Sequence, residues 1–237
     1  DEIVVFRPTT GTWHLRNAPP IINFGQNGDL PVAADYNGDG KDDIAYFRPS
    51  TGNWHIYGQA LPIHFGLLGD IPLPVDYNGD GKDDIAVFRS STGTWHIRGQ
   101  VTTLSFGQNG DIPVPADYNG DGKADIAVFR PTTGTWHVRG QVTSLAFGTL
   151  GDIPVVADYN HDGKADFAVY RPSTGTWYIR SIGTVLFGGM YDQPFPMFYN
   201  STTVLNYVVI HAGAVMMEWQ IQNMPIIYFG ANDDTQQ

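Results

Sequence analysis

The sequence has no cysteine, few basic residues and no long hydrophobic run. Without cysteine there is no disulfide scaffold, no thiolate zinc site and no cysteine nucleophile. Only 13 Lys and Arg stand against 24 Asp and Glu, a formal net charge of -11. That sign argues against nucleic-acid binding, which needs a basic face. The longest mostly apolar run, Val204 to Met217, is 14 residues and contains Asn206 and His211. A helical membrane span needs about 20 apolar residues, so none is expected. Asp1 to Phe6 carries no basic n-region, so no signal peptide is expected there, whether one was removed or the sequence is a fragment. Helical periodicity is missing throughout. So are GxSxG, HExxH, P-loop and GxGxxG elements.

What is present is glycine (28), proline (16) and aromatics (13 Phe, 12 Tyr, 6 Trp), with 42% apolar residues. That composition excludes low-complexity disorder and points to short strands joined by tight turns. The length of 237 residues suits one large all-β domain or two small ones.

A repeat organises the chain. Trp13, Trp54, Trp95, Trp136, Trp177 and Trp219 are spaced by 41, 41, 41, 41 and 42 residues. Asp-Tyr-Asn starts at Asp35, Asp76, Asp117 and Asp158, and Phe-Gly at Phe24, Phe65, Phe106, Phe147, Phe187 and Phe229. The unit from Ile112 predicts four strands: 112–118, 125–130, 135–139 and 142–147. The second is apolar at consecutive positions, which implies burial on both faces. Four short antiparallel strands recurring every ~40 residues predict an all-β fold, a β-propeller. Its phase gives five full units plus three strands of a sixth. Six blades are therefore expected, with residues 231–237 heading towards the N-terminal blade, or seven if the natural chain is longer. One propeller domain over 1–237 is expected, with a partial first blade to residue 30, regular repeats over 31–188 and a divergent blade over 189–237.

Between strands one and two of four units lies Asp-x-Asn-x-Asp-Gly-Lys-x-Asp. The copies are Asp35, Asn37, Asp39, Lys41, Asp43; Asp76, Asn78, Asp80, Lys82, Asp84; Asp117, Asn119, Asp121, Lys123, Asp125; and Asp158, Asn160, Asp162, Lys164, Asp166. Ca²⁺ takes six to eight oxygens. Side chains at positions 1, 3 and 5 of such a loop converge, glycine makes the turn at position 6, and a carboxylate completes the set at position 9. Lys at position 7 offers its backbone carbonyl. Position 12, the bidentate Glu of an EF-hand, is Tyr46, Val87, Val128 or Val169. The loop is therefore EF-like in a β setting, and four copies speak against plain turns. About four Ca²⁺ are expected, which would bring the formal charge from -11 to -3. Glu2 stands at position 9 of a loop whose start is absent. In the last unit Phe198, Thr202 and Asn206 replace the carboxylates, so no metal is expected there.

At these residues the chain resembles the FG-GAP/VCBS-type β-propeller repeats, the family that includes the integrin α-chain head. The Phe-Gly marker, the proline after it and the Asp-rich loop carry the likeness. The hairpins FRPSTGNW (Phe47 to Trp54), FRPTTGTW (Phe129 to Trp136) and YRPSTGTW (Tyr170 to Trp177) resemble a form found in secreted bacterial repeat proteins. The resemblance implies a calcium-stabilised propeller outside the cytoplasm, used for adhesion, ligand binding or assembly.

Other repeated residues invite functional readings. The tryptophans could stack on sugars, but blade-to-blade packing is favoured. His14, His55, His96 and His137 occur once per blade, so a shared transition-metal site is not expected. Arg7, Arg48, Arg89, Arg130 and Arg171, with Asp29, Asp70, Asp111 and Asp152, suit either an inter-blade interlock or solvated turn charges. The last unit holds all five methionines (Met190, Met197, Met216, Met217, Met224), and from Ser181 to Gly230 its only charges are Asp192 and Glu218. This predicts a contact surface around Met190, Met216, Met217 and Met224. Asn200 begins the only glycosylation sequon. The leading expectation is a non-catalytic extracellular module that binds a glycan or protein, with no catalytic residues. A structural subunit docking through the last blade comes second, and a polysaccharide-active enzyme third.

Overall fold

The computed structural model describes residues 4–15, 22–198, 205–212, 217–221 and 227–229. The first sheet holds β1 (Val4–Arg7), β2 (Thr12–Leu15) and β3 (Ile22–Asn23). Next come β4 (Leu30–Pro31), β5 (Ala45–Arg48), β6 (Asn53–Ile56) and β7 (Ile63–His64). The third sheet holds β8 (Asp70–Pro72), β9 (Ala86–Arg89), β10 (Thr94–Ile97) and β11 (Leu104–Ser105). The fourth holds β12 (Ile112–Pro113), β13 (Ala127–Arg130), β14 (Thr135–Val138) and β15 (Leu145–Ala146). The fifth holds β16 (Ile153–Pro154), β17 (Ala168–Arg171), β18 (Thr176–Ile179) and β19 (Gly183–Leu186). The last holds β20 (Asp192–Phe198), β21 (Leu205–Ala212), β22 (Met217–Ile221) and β23 (Ile227–Phe229). Pairing is antiparallel throughout.

The fold is an all-β propeller of four-stranded blades. The expected six or seven blades are corrected: among the described residues five sheets have four strands, and the N-terminal sheet has three. Its β1 corresponds to the second strand of a unit, and no described strand corresponds to β4 or β8 beside it. The first strands are also shorter than predicted. Ile112–Pro113 pairs with β13, and an isolated bridge joins Ala116 to Asp125. Pro113 and Pro115 bring no N–H to the ladder, which limits regular pairing to short stretches.

Consecutive burial in the second strand holds as expected. Ala127, Val128 and Phe129 are all within 1% of full burial. One face of each blade packs on its own tryptophan, the other on the preceding blade. Val87 thus joins the cluster of Phe47 and Trp54, and Val128 that of Phe88 and Trp95. Trp13, Trp54, Trp95, Trp136 and Trp177 are buried, as the packing reading required.

Two marker motifs meet in each unit. The Phe147 N–H donates to the Gly134 carbonyl at 2.9 Å, and the Phe147 carbonyl accepts the Trp136 indole N–H at 2.7 Å. The same pair of bonds joins Phe24 to Gly11 and Trp13, Phe65 to Gly52 and Trp54, and Phe106 to Gly93 and Trp95. Gly134 has φ +63° and lies so close to the backbone of Gly148 that no Cβ fits between them. The glycines of Thr-Gly-Thr-Trp and Phe-Gly are thus two halves of one backbone clasp.

Candidate metal centres

Each Asp-rich loop links the first two strands of a blade, as Asp35 to Asp43 does between β4 and β5. Its tyrosine pins it down. Tyr77 Oη donates to the Leu73 carbonyl at 3.2 Å and sets its ring edge-on against Trp95. Tyr36, Tyr118 and Tyr159 donate to Val32, Val114 and Val155 in the same way.

The carboxylate at position 1 faces the backbone. Asp117 Oδ1 accepts the Gly120 N–H at 2.6 Å and Oδ2 the Gly122 N–H at 2.8 Å. Burial raises the Asp117 pKa, but these donors, with Asp121 and Asn119, outweigh it and hold the carboxyl below its usual range. Asp35 and Asp76 are lowered against burial by the same kind of donors. At position 5, Asp121 Oδ1 accepts the Lys123 N–H at 3.0 Å. At position 9, Asp125 accepts the Tyr118 N–H at 3.0 Å and the Asn119 amide at 3.0 and 3.2 Å. Asp43, Asp84 and Asp166 have the same two partners, a tyrosine N–H and an asparagine amide.

Position 9 bears the strain of the anionic loop. The Asp125 carboxyl is pushed up by burial and by the charges of Asp121 and Asp117, against the hydrogen bonds from Tyr118 and Asn119. Asp84 rises through burial, Asp80 and Asp76, and Asp166 through burial, Asp162 and Asp158. Positions 1, 5 and 9 therefore interact electrostatically within each of these loops. They do not close on one point: among the described residues no three His, Asp or Glu side chains are placed to hold a metal ion. The chemistry of the donor set, carboxylates, amide oxygens and a backbone carbonyl, fits a hard cation.

Adjacent loops touch, which motif reading did not reveal. The Asp83 N–H donates to the Asp35 carbonyl at 2.8 Å, Ala124 to Asp76 at 2.8 Å, and Ala165 to Asp117 at 2.7 Å. Asp83 Oδ2 also accepts the Asp35 N–H at 2.8 Å. The stems of Lys82, Lys123 and Lys164 lie over Gly38, Gly79 and Gly120 of the preceding loops, where a Cβ would collide with them. A cavity of about 240 Å³ opens beside the second loop, lined by Tyr36, Asp80, Lys82, Asp83, Asp84 and Arg98 among others. Sequence reasoning passed over position 8, occupied by Asp42, Asp83, Ala124 and Ala165, because no motif marks a backbone donor.

The Arg–Asp pairs are neither the inter-blade interlock nor the solvated turn charges expected: each is a fork on a buried aspartate within one blade. Arg130 Nε and Nη2 donate to Asp111 at 2.8 and 2.9 Å, and Arg48–Asp29, Arg89–Asp70 and Arg171–Asp152 repeat this fork. Both partners serve one sheet; Asp70 and Arg89 face each other in the β8–β9 register. The aspartate also accepts an N–H of the preceding connector, Gln108 to Asp111 at 3.0 Å. In the last blade the register sets Asp192 opposite His211, where the other units carry arginine.

The histidines are locally engaged. Thr12, Thr94 and Thr135 hydroxyls bond His14, His96 and His137 at 3.0, 3.2 and 3.1 Å. His55 differs because Asn53 replaces that threonine and bonds His64; His55 stacks on Tyr46, and its Nε2 is buried without a hydrogen-bond partner. Of the expected contact surface, Met190 is described and 60% exposed beside Tyr191. Glu2, Asn200 and the side chains of Met197, Phe198, Asn206, Met216, Met217, Glu218, Trp219 and Met224 lie outside the described residues.

No curated protein matches the sequence. The structure is similar to BBS1N solved in complex with ARL6DN. In the mercury-soaked crystal the TM-score is 0.57 at 13% identity, covering 94% of this chain and 74% of that one. The lead-soaked crystal gives 0.54 at 10%, covering 92% and 74%. A weaker likeness is to the V. cholerae biofilm matrix protein Bap1, with a TM-score of 0.38 at 20% identity over 81% of this chain and 37% of that one. Such likenesses speak to fold alone. Residues 76–128 match the FG-GAP-like repeat, from one Asp-rich loop through the second strand of the following blade. The same marks recur on either side at 41-residue steps, so the matched FG-GAP-like repeat is one of a series within this β-propeller.

Proposed function

We propose that this propeller is a non-catalytic binding module stabilised by calcium and working outside the cytoplasm, in adhesion to a protein partner. The observation that carries the calcium reading is the crowding of carboxylates within the loops, where the position 9 aspartate is raised first by burial and then by its neighbours' charges. Asp84, Asp125 and Asp166 each feel two further carboxylates of their own loop. Ca²⁺ would neutralise that charge, held by Asp35, Asn37, Asp39, Asp43 and the Lys41 carbonyl in the first loop and by the matching residues of the other three. Such loops typically bind at about 10⁻⁴–10⁻³ M in extracellular modules, which suits a compartment rich in calcium.

A protein ligand is preferred to a glycan on two grounds. Trp13, Trp54, Trp95, Trp136 and Trp177, which could have stacked on sugar, are buried. The similar BBS1N is itself solved in complex with a protein. Self-assembly through the last blade is the second reading, favoured by the exposure of Met190 and Tyr191. The test is thermal melting with EDTA and after returning Ca²⁺. A marked loss of melting temperature, restored by Ca²⁺, is expected. An unchanged curve would sink the calcium reading.

A further inference from the structure

We propose that the four Asp-rich loops bind cations as one coupled series, not as independent sites. The inference rests on the calcium reading above and adds to it how the sites communicate. Its basis is the identity of the peptide groups that join the loops. The Lys82 carbonyl, the position 7 donor of the second loop, belongs to the same peptide group as the Asp83 N–H. That N–H donates to the Asp35 carbonyl of the first loop at 2.8 Å. The Asp35 carbonyl in turn shares its peptide group with the Tyr36 N–H. The Tyr36 N–H donates to Asp43 Oδ2, the position 9 carboxylate of the first loop, at 3.2 Å. Two peptide groups thus run in series from a backbone donor of one loop to a carboxylate of the next.

The arrangement recurs at every junction between the loops. From Lys123 the path runs through the Ala124 N–H to the Asp76 carbonyl at 2.8 Å, then through the Tyr77 N–H to Asp84 at 3.0 Å. From Lys164 it runs through the Ala165 N–H to Asp117 at 2.7 Å, then through the Tyr118 N–H to Asp125 at 3.0 Å. Hydrogen bonds in such a chain polarise one another. A cation drawing on the Lys82 carbonyl makes the Asp83 N–H a stronger donor, and that fixes the peptide that positions Asp43. The lysine stem lies on the preceding loop's glycine at the same junction. Filling one loop therefore prepares its neighbour. By linkage the benefit is mutual within each pair. Loops two and three have two such neighbours, whereas loop one has one such neighbour among the described residues.

The test is calorimetric titration of the whole chain, stripped of divalent ions, with CaCl₂ at fixed ionic strength. Cooperative uptake is expected, with a Hill coefficient above 1. Disabling the third loop by Asp121→Asn with Asp125→Asn should weaken binding at the remaining loops about five-fold. Disabling the first by Asp39→Asn with Asp43→Asn should weaken them clearly less. Circular dichroism establishes that each variant is folded, and the wild-type titration needs no variant. A Hill coefficient of 1, with remaining sites unaffected by either variant, overturns the coupling and leaves the calcium reading intact. No heat of binding up to millimolar CaCl₂ overturns both.

Discussion

In the four blades that carry an Asp-rich loop, the two ends solve the same electrostatic problem in opposite ways. At the connector end, Asp111 is a carboxylate with a side chain only 1% exposed, answered by the fork of Arg130. At the loop end, Asp117, Asp121 and Asp125 stand together with one lysine, and that lysine's stem lies over the preceding loop. Amide donors quiet position 1, while position 9 is left with its charge opposed. The first end is complete with protein alone. The second is left anionic by the protein alone, and a bound cation, as proposed above, would answer that charge.

The largest effect is expected where the protein-only solution is broken. Arg130→Ala leaves the Asp111 carboxylate buried without its partner and should cost about 3 kcal/mol in denaturant unfolding, in the lower range for one half of a buried pair because Arg130 is partly exposed. Lys123→Ala should cost well under that. Equal losses would erase the distinction between the two ends.

A smaller effect should change sign with calcium. Asp125→Asn removes a charge that burial and its neighbours oppose, so in EDTA the variant should melt no lower than the parent, and slightly higher. In millimolar Ca²⁺ it should melt lower, having lost a ligand. The same sign in both buffers would contradict the placement of Asp125 in a cation site.

The smallest effect comes from acid at the histidines. Burial lowers the pKa of His55, His96 and His137, and the neighbouring arginines lower it further. Their folded pKa lies below the ordinary 6.5, so the unfolded chain takes up protons first as pH falls. Stability should therefore decline gently as pH drops below 6.5 towards the folded pKa values, then level off with respect to these groups. The position 9 aspartates act oppositely at lower pH, since their pKa is raised: their unfavourable charge is shed before the unfolded state protonates. Melting curves in EDTA between pH 7 and 5 that rise on acidification would contradict the histidine assignment.

Much of this was legible in the sequence because it repeats. The spacing of Trp13 to Trp177 fixed the unit, and the consecutive apolar run Ala127–Phe129 told of burial on both faces. The loop residues could be named from their oxygens. What stayed hidden lies in the backbone. The Ala124 N–H reaches Asp76 across 48 residues, and nothing about alanine announces it. The pairing of Arg130 with Asp111 inside one blade needed the register of neighbouring strands. The blade count depended on which strands of the first sheet have partners.

The paired glycines bear on where such a protein can change length. Between Trp136 and Phe147 the indole bond spans 11 residues, but between Trp177 and Phe187 it spans 10, and the Gly175–Gly188 approach is retained. The missing residue was taken from the outer turn, at Ser181 to Gly183, where the chain faces water. Val142 in the matching turn is fully exposed. The clasp is a fixed staple and the outer turn is slack, so foreign peptide spliced in at Gln141–Val142 would be displayed on the rim without disturbing the blade beneath it.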